Sequence, residues 1–244
     1  FGAQFPCQLA YCGDIDITGF RRPVSYYREI VFGRRKNPYI AIRNPYRYGQ
    51  PLYKTPWVMS DSLSSWTYPG QEGQKVIAEI YAAGDETELF LNGKSLGRKP
   101  SGELTGFIVC FELTYEPGIL KAVSYENDRI IGSMELKTAV GKEHLTIRQE
   151  KRYGTCTDSE ELLFVTIANK AENDVCVTDH EVMLKASIEG AVILGFGSAD
   201  PKSVYAYQTN ETKTFHGRAL LVLRRKKDDK EPLVHVWIHK DEDK

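Results

Sequence analysis

SWTYPGQEG at residues 65–73 and ELFLNGKSLGR at residues 88–98 decide the fold of this 244-residue chain. In the second stretch Asn92-Gly93 stands between Leu89-Phe90-Leu91 and Lys94-Ser95-Leu96. Asn-Gly between alternating apolar residues predicts a two-residue hairpin. Both central positions of a type I′ turn need positive φ, which Asn tolerates and Gly accepts freely. Such a loop pairs Leu91 with Lys94 and Leu89 with Leu96, so that Leu89, Leu91 and Leu96 share one buried face. Outward from this hairpin, strands are expected at 75–82, 87–91, 94–98, 107–114, 118–125 and 129–137. Asn127-Asp128 supplies a second turn and sets Glu126 opposite Arg129. Tyr39–Arg43 alternates and adds a further strand. About seven short strands separated by turn signals suit an immunoglobulin-like β-sandwich. Residues 44–64, rich in Pro, Tyr and Ser, interrupt the series and exceed ordinary loop length, which marks them as functional or mobile.

After the short boundary Thr138-Ala-Val-Gly141 a second series of strands begins, at Leu145–Arg148, Glu161–Ala168, Val182–Ile188, Val192–Phe196, Arg218–Arg224 and Leu233–His239. Gly195, Gly197, Asp200 and Pro201 read as a tight turn at a sandwich edge, since no helix follows to complete a nucleotide loop. Residues 1–34 differ in character. Pro23 suits the first turn of a helix and Gly33 its C′ position. Val24, Tyr27 and Val31 recur at i, i+3 and i+7, one stripe whose cover is expected from structure upstream. The fold class is therefore mainly β: two immunoglobulin-like sandwiches, over 35–139 and 140–244, preceded by a short helical remnant over 1–34.

Lys plus Arg number 32 against 33 Asp plus Glu, a net charge of -1. That balance lacks the basic excess of a nucleic-acid binder, and Arg224–Lys227 is offset by the acids that follow it, as an exposed hairpin tip would be. No apolar run approaches the ~20 residues of a membrane-spanning helix. The chain opens on Phe1 without a signal-peptide pattern and reads as a fragment starting within a motif. Five cysteines, odd in number and without CxxC, read as reduced thiols, with a Cys156–Cys176 bridge as the alternative; they point to a cytoplasmic setting.

Trp66, Pro69, Gly70, Glu72 and Gly73, followed by ELFLNGKSLG, resemble the first β-sandwich after the catalytic barrel of family 2 glycoside hydrolases, the β-galactosidase and β-glucuronidase group. Tyr68 stands where that family has a second Trp. GDIDITGFRRPVSYYR over 13–28 resembles the end of the family's (β/α)₈ barrel, through Gly13, Asp14, Asp16, Gly19, Arg22, Pro23, Ser25, Tyr26, Tyr27 and Arg28. The stretch around Gly195, Gly197, Asp200 and Pro201 resembles its C-terminal sandwich. The resemblance implies a parent that hydrolyses a terminal β-glycosidic bond with retention, using two glutamates on earlier barrel strands. Nothing in this chain matches the motifs of those glutamates. It implies a missing upstream barrel and a carbohydrate substrate as partners, and allows a homo-oligomer.

A retaining glycosidase needs two carboxyl groups ~5–5.5 Å apart. Asp14 and Asp16, two apart on a strand, would point the same way about 6.5–7 Å apart; they read as hydrogen-bonding residues, with direct substrate contact as the sharper alternative. Histidines 144, 180, 216, 235 and 239 are dispersed and offer no metal site, and no cofactor motif occurs. Trp57, Trp66 and Tyr68 are the aromatic candidates for stacking on a sugar ring. Trp66 reads first as a plug at the sandwich end, whereas Trp57, in the long loop, could lean over a cleft. The chain is expected to be a non-catalytic scaffold. The alternatives are an autonomous carbohydrate-binding module or an adhesive sandwich pair.

Overall fold

The computed structural model describes residues 5–7, 9–52, 58–150, 153–154 (backbone only), 159–226 and 229–240. Two compact units result: Tyr11–Thr138, and Ala139–Lys244 together with Phe1–Ala10. Each is mainly antiparallel β.

The first unit comprises α1 (Pro23–Val31), β1 (Tyr39–Ile42), β2 (Lys75–Tyr81), β3 (Glu86–Leu91), β4 (Lys94–Pro100), β5 (Ile108–Thr114), β6 (Ile119–Glu126) and β7 (Arg129–Lys137). A sheet of order β1-β2-β5 and another of order β4-β3-β6-β7 enclose one core. Alternation directs Val76, Ala78 and Ile80 inward from β2, to meet Phe111, Leu89, Leu120 and Ala122. Both expected turns form: Asn92, Gly93, Asn127 and Asp128 all have positive φ, and Glu126 pairs with Arg129. Leu91 pairs with Lys94, but Leu89 and Leu96 do not meet. Between Phe90↔Ser95 and Glu88↔Arg98 the edge strand β4 carries one extra residue, a bulge at Gly97 with φ 106°. Leu89 is fully buried while Leu96 turns outward, as the whole of β4 is exposed.

The outward face of β1-β2-β5 is covered as well, which is why all four residues of β1 are buried. Its cover is α1. Pro23 begins the helix without an N–H to leave unpaired, and Gly33 at φ 66° ends it, its N–H donating to the Ile30 carbonyl. The buried face is Tyr26, Tyr27 and Ile30 rather than the expected Val24, Tyr27 and Val31. Tyr26 stacks on Tyr39 at 4.0 Å and Tyr27 meets Tyr81 edge-on at 5.5 Å. Two tyrosines on the sheet thus rotate the helix toward its own aromatic pair, leaving Val31 38% and Phe32 74% exposed. The helix finds its cover inside the described chain, where the sequence suggested one upstream.

The second unit comprises β8 (His144–Gln149), β9 (Tyr153–Gly154), β10 (Glu160–Lys170), β11 (Met183–Glu189), β12 (Val192–Gly197), β13 (Glu211–Lys213), β14 (Arg218–Lys226) and β15 (Leu233–Ile238). One sheet runs β12-β14-β10-β8, with β9 also on β10, and the other runs β13-β11-β15. Leu163, Ile167, Leu184, Phe196, Leu221 and Leu223 fill the space between them. The short strands β9 and β13 carry no pattern long enough to read from sequence. Arg225 departs from the exposed tip expected of 224–227: the alternation of Leu221 and Leu223 carries it inward, where it is ion-paired to buried Glu161. Gly197 closes β12 where a Cβ would strike the Tyr207 ring, and Asp200 then accepts the Lys202 N–H in a turn. Cys176 is a free thiol whose Sγ–H donates to the His216 carbonyl, while Cys156 lies outside the described residues.

Candidate functional site

Strand β2 reads KVIAEIY, and its alternation aims Glu79 and Tyr81 away from the core. Because α1 and residues 58–62 lie over that face, Glu79 is buried at 3% exposure. Arg43, just beyond β1, places Nε 2.6 Å from Glu79 Oε1. The Tyr81 hydroxyl donates to Glu79 Oε2 at 3.2 Å and lies 3.4 Å from Ser62 Oγ. Burial, reinforced by the Glu79 charge, pushes the Tyr81 hydroxyl pKa up, so it stays a donor. Burial disfavours charge on Arg43, but the hydrogen bond and charge of Glu79 outweigh it and raise its pKa. The cluster is thus a closed ion pair, with both carboxylate oxygens committed. It ties β1 to β2 under the helix and so holds the fold together.

Two shallow pockets flank it. One is lined by Tyr11, Cys12, Arg22, Met59, Ser62 and Tyr81, the other by Arg43, Asn44, Arg47, Gln50 and Asp61. Arg47 Nη1 lies 3.4 Å from Asp61 Oδ2. Among the described residues no group of three or more His, Cys, Asp or Glu side chains is gathered to hold a metal ion. No described helix is long and apolar enough to cross a membrane.

The sequence-derived site residues fall in separate places. Asp14 pairs with Arg28 at 2.6 Å, and its carbonyl accepts the Arg22 N–H. Asp16 Oδ1 accepts from the Thr18 N–H, the Thr18 hydroxyl and the Phe20 N–H at 2.8, 2.7 and 3.1 Å. Both aspartates therefore shape the turn ahead of α1, closed by the Ile15↔Arg21 bridge. Trp66 is fully buried in the sandwich core, its Nε1–H donating to the Glu116 carbonyl at 3.0 Å and its ring edge-on to Tyr115 at 4.8 Å. Tyr68 is buried beside it and donates its N–H to the Tyr115 hydroxyl. Trp57 lies outside the described residues. Arg43, Glu79 and Tyr81 escaped the sequence reading because a charge at an alternate position of a strand reads as solvent-facing; only the covering segment reveals otherwise.

Two antiparallel sheet pairs in tandem, the first capped by a helix, make this a tandem β-sandwich protein. Residues 141–238 match glycoside hydrolase family 2 C-terminal domain 5, and residues 73–132 match a domain of unknown function, DUF4982. A glycosyl hydrolase family 2 member from Bacteroides cellulosilyticus superposes with a TM-score of 0.83 at 32% identity, over 94% of this chain and 30% of that one. The β-galactosidase BoGH2A of Bacteroides ovatus is 26% identical over 226 residues, 90% of this chain and 23% of its own length. A β-glycosidase from Bacteroides vulgatus, 20% identical with a TM-score of 0.70 over 95% of this chain and 29% of its own, shares the fold. The chain carries the C-terminal region of a family 2 glycoside hydrolase. It spans under a third of the length of these relatives.

Proposed function

We propose that this chain is the non-catalytic C-terminal portion of a retaining β-glycosidase of the β-galactosidase kind, built as two immunoglobulin-like sandwiches over 35–139 and 140–244. Residues 1–34 would complete the catalytic barrel, and the two catalytic glutamates would lie upstream. One observation carries this reading: the segment that resembles a barrel end keeps three of its large apolar side chains outside. Ile15 is 58% exposed, Ile17 56% and Phe32 74%, although Tyr26, Tyr27 and Ile30 are packed onto the sandwich. Exposed apolar side chains gathered on one short segment are what a docking surface looks like. Asp14 and Asp16 support it from beneath, since they rigidify the turn that presents Ile15 and Ile17. Residues 44–64, with Trp57, would rim the substrate cleft in the whole protein.

The test is made in the full-length protein. Ile17→Asp combined with Phe32→Asp should lower the thermal midpoint and the rate of aryl β-galactoside hydrolysis together. Val192→Asp, at a position equally exposed in the second unit, should change neither. Wild-type stability and rate in the double variant would contradict the docking role.

A further inference from the structure

The second unit turns one sheet face to solvent with an unusual set of side chains. Alternation sends Leu184, Ala186 and Val236 into the core and leaves Lys185, Ser187, His235 and Trp237 outward on β13-β11-β15. The register sets Trp237 opposite Lys185, Lys185 opposite Glu211, and Ser187 opposite His235. Indole, ammonium and carboxylate therefore form a row across three strands spaced about 4.8 Å apart, with Lys185 Nζ 3.8 Å from Glu211 Oε2. Trp237 and His235 stack on each other, ring centroids 5.2 Å apart and planes 29° apart. His235 is exposed and Trp237 half-buried. Among the described residues neither ring has a hydrogen-bond partner, and the indole N–H is not sealed from solvent. Because β15 is an edge strand of its sheet, the aromatic pair sits at the rim of that face.

We propose that this face is a binding platform for a neutral glycan. A pyranose offers an apolar C–H surface for an aromatic plane and a girdle of hydroxyls for donors and acceptors beside it. Trp237 supplies the plane. Its indole N–H, the His235 ring nitrogens, the Ser187 hydroxyl and the loose Lys185–Glu211 pair supply the polar partners within two strand spacings. Charge selects the ligand class. Lys185 and Lys213 are balanced by Glu189 and Glu211 on the same face, so no field draws a polyuronate or a nucleic acid. The row of ammonium, carboxylate and hydroxyl is too polar for the dry centre of a protein contact. The proposal does not rest on the scaffold reading, since it concerns a face remote in sequence from the segment assigned to docking.

Affinity electrophoresis of the 244-residue chain in native gels containing soluble galactomannan or mixed-linkage β-glucan tests it, with polygalacturonate as the anionic comparison. Retardation is expected in a neutral gel, weaker by roughly tenfold in apparent affinity after Trp237→Ala, and partly kept in Trp237→Phe, which retains a ring. Thermal midpoints of both variants should match the parent; should Trp237→Ala fail to fold, Lys185→Met must still weaken retardation. No retardation in either neutral gel overturns the proposal, as does retardation indifferent to Trp237. Concentration-dependent sedimentation abolished by Trp237→Ala, without glycan binding, would assign the face to a second copy and overturn it too.

Discussion

The two units bury charge and aromatic mass in opposite ways. In the first, Trp66, Tyr68 and Tyr115 converge inside the sandwich, and a second aromatic layer of Tyr26, Tyr27, Tyr39 and Tyr81 seals α1 against the outer sheet face. Its buried carboxylate, Glu79, lies in that second layer and is neutralised from the end of β1. In the second unit the core is aliphatic apart from Phe196, and the buried ion pair Arg225–Glu161 lies along the paired strands β10 and β14. Among the described residues, the first unit has a sheet covered on both faces, by its partner sheet and by α1. The lesson is that a sandwich pattern of strands says little about which faces are free. The cover decides that, and the cover comes from elsewhere in the chain.

The contrast predicts unequal sensitivity. Trp66→Ala removes the largest fully buried side chain and leaves the Glu116 carbonyl without its indole donor. It should cost about 3–5 kcal/mol in chemical denaturation of the first unit. A loss under 1 kcal/mol would show that the aromatic layer is not what closes this core.

Next in size is the ion pair under the helix. Arg43→Met leaves Glu79 charged and buried, and should cost about 3 kcal/mol, whereas Arg43→Met with Glu79→Met should recover most of it. Double-mutant cycles read by urea denaturation check this. Equal losses in the single and double variants would mean that the pair contributes only packing.

The smallest effect belongs to the second unit. His180 lies 3.1 Å from both Glu143 and Asp179. Burial opposes its protonation, but the Asp179 hydrogen bond and the charges of Glu143 and Asp179 outweigh that and raise its pKa. The folded state therefore holds the proton more tightly than the unfolded chain. The stabilisation is complete below about pH 6.5 and is lost as pH rises through the folded-state pKa. Since the ring is partly exposed, the loss should stay below about 1 kcal/mol. Thermal midpoints from pH 5.5 to 8.5 should fall less in His180→Gln than in the parent; identical slopes would remove His180 from the account.

Local signals were the legible part. Asn92-Gly93 and Asn127-Asp128 announce their turns because positive φ at two successive positions tolerates few residues. Pro23 and Gly33 announce α1 for similar reasons. What stayed hidden depends on distant chain. The bulge at Gly97 turns Leu96 out of a face that alternation alone assigned to the core. The outward face of β2 is read as wet until α1 and residues 58–62 are laid over it. Trp66 and Tyr68 carry a family-like motif, yet a motif does not say whether an aromatic ring plugs a sandwich or meets a sugar. Trp237 is inconspicuous because its strand, LVHVWI, reads as an ordinary apolar run; its partners Lys185 and Glu211 arrive only through strand register.

Hydrolysis assayed on the isolated 244-residue chain separates a scaffold from an enzyme. With p-nitrophenyl β-D-galactoside and p-nitrophenyl β-D-glucuronide as substrates, release at the rate of the buffer blank is expected, with the fold verified by circular dichroism. Saturable, enzyme-dependent release of p-nitrophenol from either substrate would contradict it.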